Sequence, residues 1–190
     1  MKKGLIAIAL LVATSVFASV ALWQNDKAHS QLQFTVAHMG VSDVSGMFND
    51  FDVTVSASEA DFSDAVFELT AQVASIDTRV EARDNHLRSA DFFDAENHPL
   101  ITYKSTGIAK VRENDYKLTG DLTIRGVTRT VEMDLRYVGS TINPMSNEET
   151  VGFQLTGEIK RSDFGVGNDF PAPFISDEVW IKADGEFTRK

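Results

Sequence analysis

The stretch "RDNHLRSADFFDAENHPL", residues 83 to 100, sets two arginines, three aspartates, a glutamate and two histidines around a Phe-Phe pair. Three chemistries use such residues: acid–base catalysis, metal ligation and a charged clamp. Acid–base work needs a histidine or carboxylate held beside a reacting group. Asp84 with His86 is the pair to consider, but residues two apart do not share a helix face. Asp84 and Arg88, four apart, can pair, whereas Arg79 and Arg83 at the same spacing repel and need carboxylates elsewhere. The chain contains no G-x-S-x-G nucleophile motif. The four histidines, His29, His38, His86 and His98, never fall four apart as in a helical zinc site, and cysteine is absent. No metal site is expected, and His38, on an apolar strand face, reads as a hydrogen-bonded core histidine.

The clamp remains. Arg83, Asp84, His86 and Arg88 project from one short helix, Phe92 and Phe93 anchor its end, and Asp77, Asp91, Asp94 and Arg161 stand as partners. Buried charges must be paired, because an isolated one costs several kcal/mol. Such a network would tie the helix across one end of the fold. The rival enzymatic reading, with His86 and Asp84 acting on a lipid, stays open at this point.

The element carrying these residues starts at "TRVE", where Thr78 reads as N-cap and Glu81 as its reciprocal partner in a capping box. A helix is expected over roughly 79–90, and Pro99 opens the next strand. Nearly everything else runs at period two, the strand signature. Leu32, Phe34 and Val36 share one face, as do Met47, Phe51, Val53 and Val55, then Ala65, Phe67, Leu69, Ala71 and Val73. The later sets are Tyr116, Leu118, Leu122 and Ile124; Val127, Val131, Met133, Leu135 and Tyr137; Val151, Phe153, Leu155 and Ile159; and Val179, Ile181, Ala183 and Phe187. With "LITYKSTGIAKV" they make eight strands, each with one buried and one wet face. Short strands at this spacing point to an all-β sandwich or closed barrel, with a short helix inserted between strands three and four. "FGVGNDFPAPFIS", residues 164 to 176, reads as a long loop and a mobile rim.

The N-terminus lies apart from this pattern. Two lysines, an apolar run from Leu5 to about Phe17 and small residues follow the plan of a secretory signal peptide, cleaved after Ala18 or Ala21. The run is shorter than the roughly 20 residues of a spanning helix. Residues 22–190 are expected to form one domain outside the cytoplasm. A formal charge of −10, more negative once Lys2 and Lys3 are removed, disfavours nucleic acid and anionic membrane surfaces.

The inward sets contain small residues: Gly120, Gly157, Gly185, Ala65, Ala71, Ser105 and Gly107. They fit a barrel with room for one ligand, or bends where strands coil. The expected wall is Phe34, Val36, Phe51, Val53, Phe67, Leu69, Met133, Leu135, Phe153, Leu155 and Ile181. It is apolar, so its ligand would be too.

Four segments, "HSQLQFTVAHMGVSDVSGMFNDF" (29–51), "SIDTRVEARDNHLRSADFFDAENHPLITYKST" (75–106), "YKLTGDLTIRGVTRTVEM" (116–133) and "RSDFGVG" (161–167), occur in this order. Together they resemble the YceI-like family of periplasmic polyisoprenoid-binding proteins, from about Trp23 to the C-terminus. The resemblance implies a lipocalin-like, eight-stranded antiparallel barrel with a long apolar tunnel. It implies a long-chain isoprenoid as ligand, a prenyl quinone or prenyl phosphate, held by a carrier without cofactor or settled reaction. It also suggests a homodimer. In that setting one arginine of the 83–88 cluster, or Arg161, is available to a phosphate or quinone head group. A filled barrel serving as an interaction module is the third reading.

Overall fold

The computed structural model describes residues 19–190; the predicted signal peptide lies almost wholly outside them. Ten strands and one α-helix, with short 3₁₀ turns at Val73–Ser75 and Arg161–Phe164, follow in order: β1 (Ala21–His38), β2 (Ser42–Phe48), β3 (Phe51–Ala57), β4 (Val66–Gln72), β5 (Ile76–Asp77), α1 (Glu81–Arg88), β6 (Leu100–Arg112), β7 (Asp115–Ile124), β8 (Val127–Ile142), β9 (Glu149–Lys160) and β10 (Glu178–Arg189). Every pairing is antiparallel, and β10 returns to β1, closing the sheet. Among the described residues, closure leaves only the edge beside β2 of the free edges that invite aggregation.

The barrel has eight staves, because β2 and β3 together make one. β2 pairs with the C-terminal part of β1 (Phe34 opposite Gly46) and β3 with its N-terminal part (Trp23 opposite Val55). Between them, at Asn49–Asp50, the alternation slips by one. Gly46 and Phe48 face inward before the kink, and Phe51 and Val55 after it. Met47, expected inside, is therefore exposed. β5 extends the open edge of β2 for two residues. The β7–β8 hairpin turns on Arg125–Gly126, both with positive φ, as a two-residue turn that matches strand twist requires.

The helix is shorter than its capping box suggests. Its N-cap is Val80, without side-chain capping, and Arg79 adopts φ 66°. Thr78 is buried and turned away from the helix start. Its hydroxyl donates to the Asp84 carboxylate and accepts from Arg83 instead of accepting from a helix-start amide, and these side-chain partners decide the boundary.

Two packed clusters divide the interior. One, near the N-terminus of β1, contains Trp23, Val55, Phe62, Phe67, Tyr116, Phe153 and Phe187. Phe62, on the β3–β4 loop, lies 5.0 Å from both Tyr137 and Phe153 between ring centres and plugs that end. The other, at the opposite end, gathers Phe48, Phe92, Ile124, Ile159 and Phe164 under α1 and the 161–176 segment. Burial of each such side chain contributes about 1.5–3 kcal/mol.

Candidate functional site

Between the plug and α1 the barrel is hollow. The cavity has a volume of about 490 Å³, within the range of small-molecule sites. Its lining is overwhelmingly carbon, and all eleven wall positions read from the sequence line it. Phe67, Phe153 and Leu135 sit deepest, within the aromatic plug. Val53 and Leu155 touch both clusters and form the floor between them. Strand alternation could not reveal the lining from β7 (Leu122 and Ile124) as wall rather than filling, nor Phe92, Phe170 and Ile175 from irregular segments.

Gly185 lines the cavity, but Gly120 and Gly157 do not create this space directly. A Cβ at Gly120 would lie 2.5 Å from the Tyr103 ring, and one at Gly157 would collide with the Met133 sulfur. Large neighbours already occupy those notches. Gly107 is not inward at all; it is exposed at the bulge where β6 slips against β7. Tyr103 and Met133 lean into these notches along the wall, which takes their bulk off the barrel axis.

The charged stretch is a clamp, but among the described residues its arginines are held by hydroxyl, amide and carbonyl oxygens and not by carboxylates. Asp84 is buried and accepts hydrogen bonds from the Thr78 amide (2.8 Å) and hydroxyl. Arg83 donates to the Thr78 hydroxyl (2.7 Å) and carbonyl (2.8 Å). Arg88 reaches the Ala74 and Ile76 carbonyls and Asn85, not Asp84. Arg161 is buried and donates to five carbonyls, those of Val166, Gly167, Phe170, Ile175 and Ser176. Backbone oxygens thus take the place of the carboxylates expected from sequence. They also pin the 164–176 loop, which composition alone had marked as mobile. Phe164 is core, and Phe170 stacks on Phe92 at 5.0 Å.

His86 and Asp84 are not brought together. Asp84 faces inward to Thr78, while His86 is exposed, bonded to Asp91 at 2.9 Å and set edge-on to Phe92 and Phe170. His38 is also not a core residue. It stands exposed at the end of β1, lining the cavity mouth. Phe174, likewise exposed, lines the same mouth, and Gln31 reaches the cavity beside a bulge in the β1–β10 seam. Buried polar atoms are few. The Tyr103 hydroxyl, without a partner, is pushed up to about 12 chiefly by burial and then by the Asp121 charge, so it stays neutral. Asp26, His29 and Glu186 converge on the outer surface of the seam, with His29 bonded to Asp26 at 2.8 Å.

An eight-stranded antiparallel barrel with an apolar lumen open at one end is the architecture of barrels that hold one small ligand. Residues 23–187 match the YceI-like domain, and the chain belongs to that family. A UPF0312 protein of Pectobacterium atrosepticum is 35% identical over 183 residues, covering 96% of this chain and 94% of the relative. One from Staphylococcus aureus is 40% identical over 167 residues, covering 86% and 95%. Among solved structures, Burkholderia cenocepacia BcnA superposes with a TM-score of 0.77 at 28% identity, over 85% of this chain and 98% of that one. A polyisoprenoid-binding domain from Saccharophagus degradans shares the fold, with a TM-score of 0.66 at 16% identity over 90% and 100%. No helix among the described residues is long and apolar enough to cross a membrane.

Proposed function

We propose that this protein is an exported carrier that sequesters a long-chain isoprenoid lipid, a prenyl quinone or prenyl phosphate, in the barrel lumen. The observation that carries the reading is the cavity of about 490 Å³, whose lining surface is overwhelmingly apolar and comes mostly from Phe, Leu, Val and Ile side chains. Each CH₂ moved there from water contributes about 0.8 kcal/mol. An isoprenoid tail therefore binds firmly with few polar contacts. Family membership and the Saccharophagus degradans domain support the ligand class. The periplasm is the compartment the leader implies. Cleavage after Ala18 leaves β1 whole, whereas cleavage after Ala21 removes the residue that pairs with Ala57.

Solvent extraction of the protein purified from its native host, followed by mass spectrometry, tests this. A prenyl lipid at near one molecule per chain is the expected result. Extracts free of prenyl lipid, from protein that also fails to take one up, would refute the carrier.

A further inference from the structure

Large apolar side chains surround the cavity mouth on its outer side. Met39 and Val41, on the β1–β2 turn, are 55% and 83% exposed, and Phe174, on the 164–176 loop, is 60% exposed. The two segments form one rim. The Met39 amide donates to the Phe174 carbonyl at 3.0 Å, Ser176 donates to the Ala37 carbonyl at 2.9 Å, and His38 bridges Ile175. Neither 36–46 nor 164–176 contains a lysine or arginine, whereas Asp43 and Asp169 lie within them. Arg161, beneath the loop, is fully engaged by carbonyls, and the exposed Lys160 beside it stands opposite Glu178 on β10, outside both rim segments.

We propose that this rim seats on the surface of an uncharged, zwitterionic bilayer and aligns the cavity mouth with the hydrocarbon interior. The inference rests on the carrier reading and adds where cargo enters and leaves. The rim is continuous with the apolar lumen, since Phe174 belongs to both. A prenyl tail crossing such a seat never meets water, whereas one crossing an aqueous gap would expose every methylene at once. Charge selects the kind of surface. Basic segments draw proteins to anionic lipid, and this rim and the acidic chain do the reverse. A second apolar group, Ile142 and Met145 on the β8–β9 hairpin, is also exposed but lies on the far end of the barrel from the mouth. It supplies the control.

The test is co-sedimentation with phosphatidylcholine vesicles, with and without phosphatidylglycerol. It compares the native sequence, Val41→Ser with Phe174→Ser, and Ile142→Ser with Met145→Ser. All three proteins are also checked for prenyl lipid content and for mass by light scattering. The rim variant should lose at least fivefold in vesicle-bound fraction while folding normally, and the hairpin variant should match the native protein. Phosphatidylglycerol should weaken binding. Equal binding by the rim variant, no vesicle binding by the native protein, or tighter binding to anionic vesicles overturns the seat. So does a native dimer that the rim substitutions convert to monomer without changing vesicle binding, which would make the rim a contact between two copies. Retained prenyl lipid without vesicle binding removes the seat alone; rim-dependent vesicle binding by a protein holding no prenyl lipid removes the carrier alone.

Discussion

At the level of single residues, the charged stretch near α1 holds backbone in place. Asp84 satisfies the Thr78 amide and hydroxyl from inside the fold, and hydrogen bonds to a charged group are worth about 1.5–3 kcal/mol each. Asp84→Ala should therefore lower stability by about 3 kcal/mol or more in urea unfolding. Arg161 is more demanding, because five carbonyls depend on one planar guanidinium. Arg161→Met should cost more than Asp84→Ala. Arg161→Lys should recover little, since an ammonium has three donors and no fork. His86→Ala is the contrast: an exposed ring bonded to Asp91, its loss should leave prenyl lipid content within twofold of the native level, measured on extracts. The sequence made the residue types of this clamp plain and Asp91 does bond His86, but it named the wrong partners for the arginines. Carboxylates have letters in a sequence, and the carbonyls that actually receive these arginines do not.

At the level of elements, alternation located all eight staves and the inserted helix, and it failed where one residue changed phase. The kink at Asn49–Asp50 turned Met47 outward and Phe48 inward. A period-two pattern read across a bulge inverts every position beyond it. The helix start failed for another reason. Thr78 and Glu81 have capping-box spacing, but a buried carboxylate six residues on claimed the threonine. The β3–β4 loop that plugs the barrel has its own dependence on acid. Asp61 accepts from Lys110 at 2.7 Å, and chiefly this contact holds its carboxyl down at about 2; its carbonyl receives the Tyr116 hydroxyl. A carboxylate depressed on folding stabilises the fold above its unfolded value, near 4, and loses that contribution as pH falls toward 2. Thermal midpoints should therefore fall less between pH 4 and pH 2 in Asp61→Asn than in the native protein, with the two curves closest at the acid end.

For the whole molecule, closure and the wall were readable and the small inward residues pointed to a cavity, but the way the space forms was not legible. Eleven wall positions follow from which residues alternate inward. Whether they meet across the axis depends on where each side chain leans, and Tyr103 and Met133 lean into glycine notches. Small residues thus pointed toward a cavity through a mechanism different from the one their size suggested.

Ala183 stands opposite Leu32 on β1 and Leu155 on β9, at the cavity wall. Ala183→Trp should fill the lumen without disturbing the plug or the clamp. The decisive measurement is titration of a tetraprenyl alcohol into delipidated native protein and into Ala183→Trp, both confirmed as folded. The native protein should saturate at one molecule per chain, and the filled variant should bind at least tenfold more weakly, a difference of about 1.4 kcal/mol or more. Equal uptake by both proteins would place the lipid outside the barrel and contradict the account.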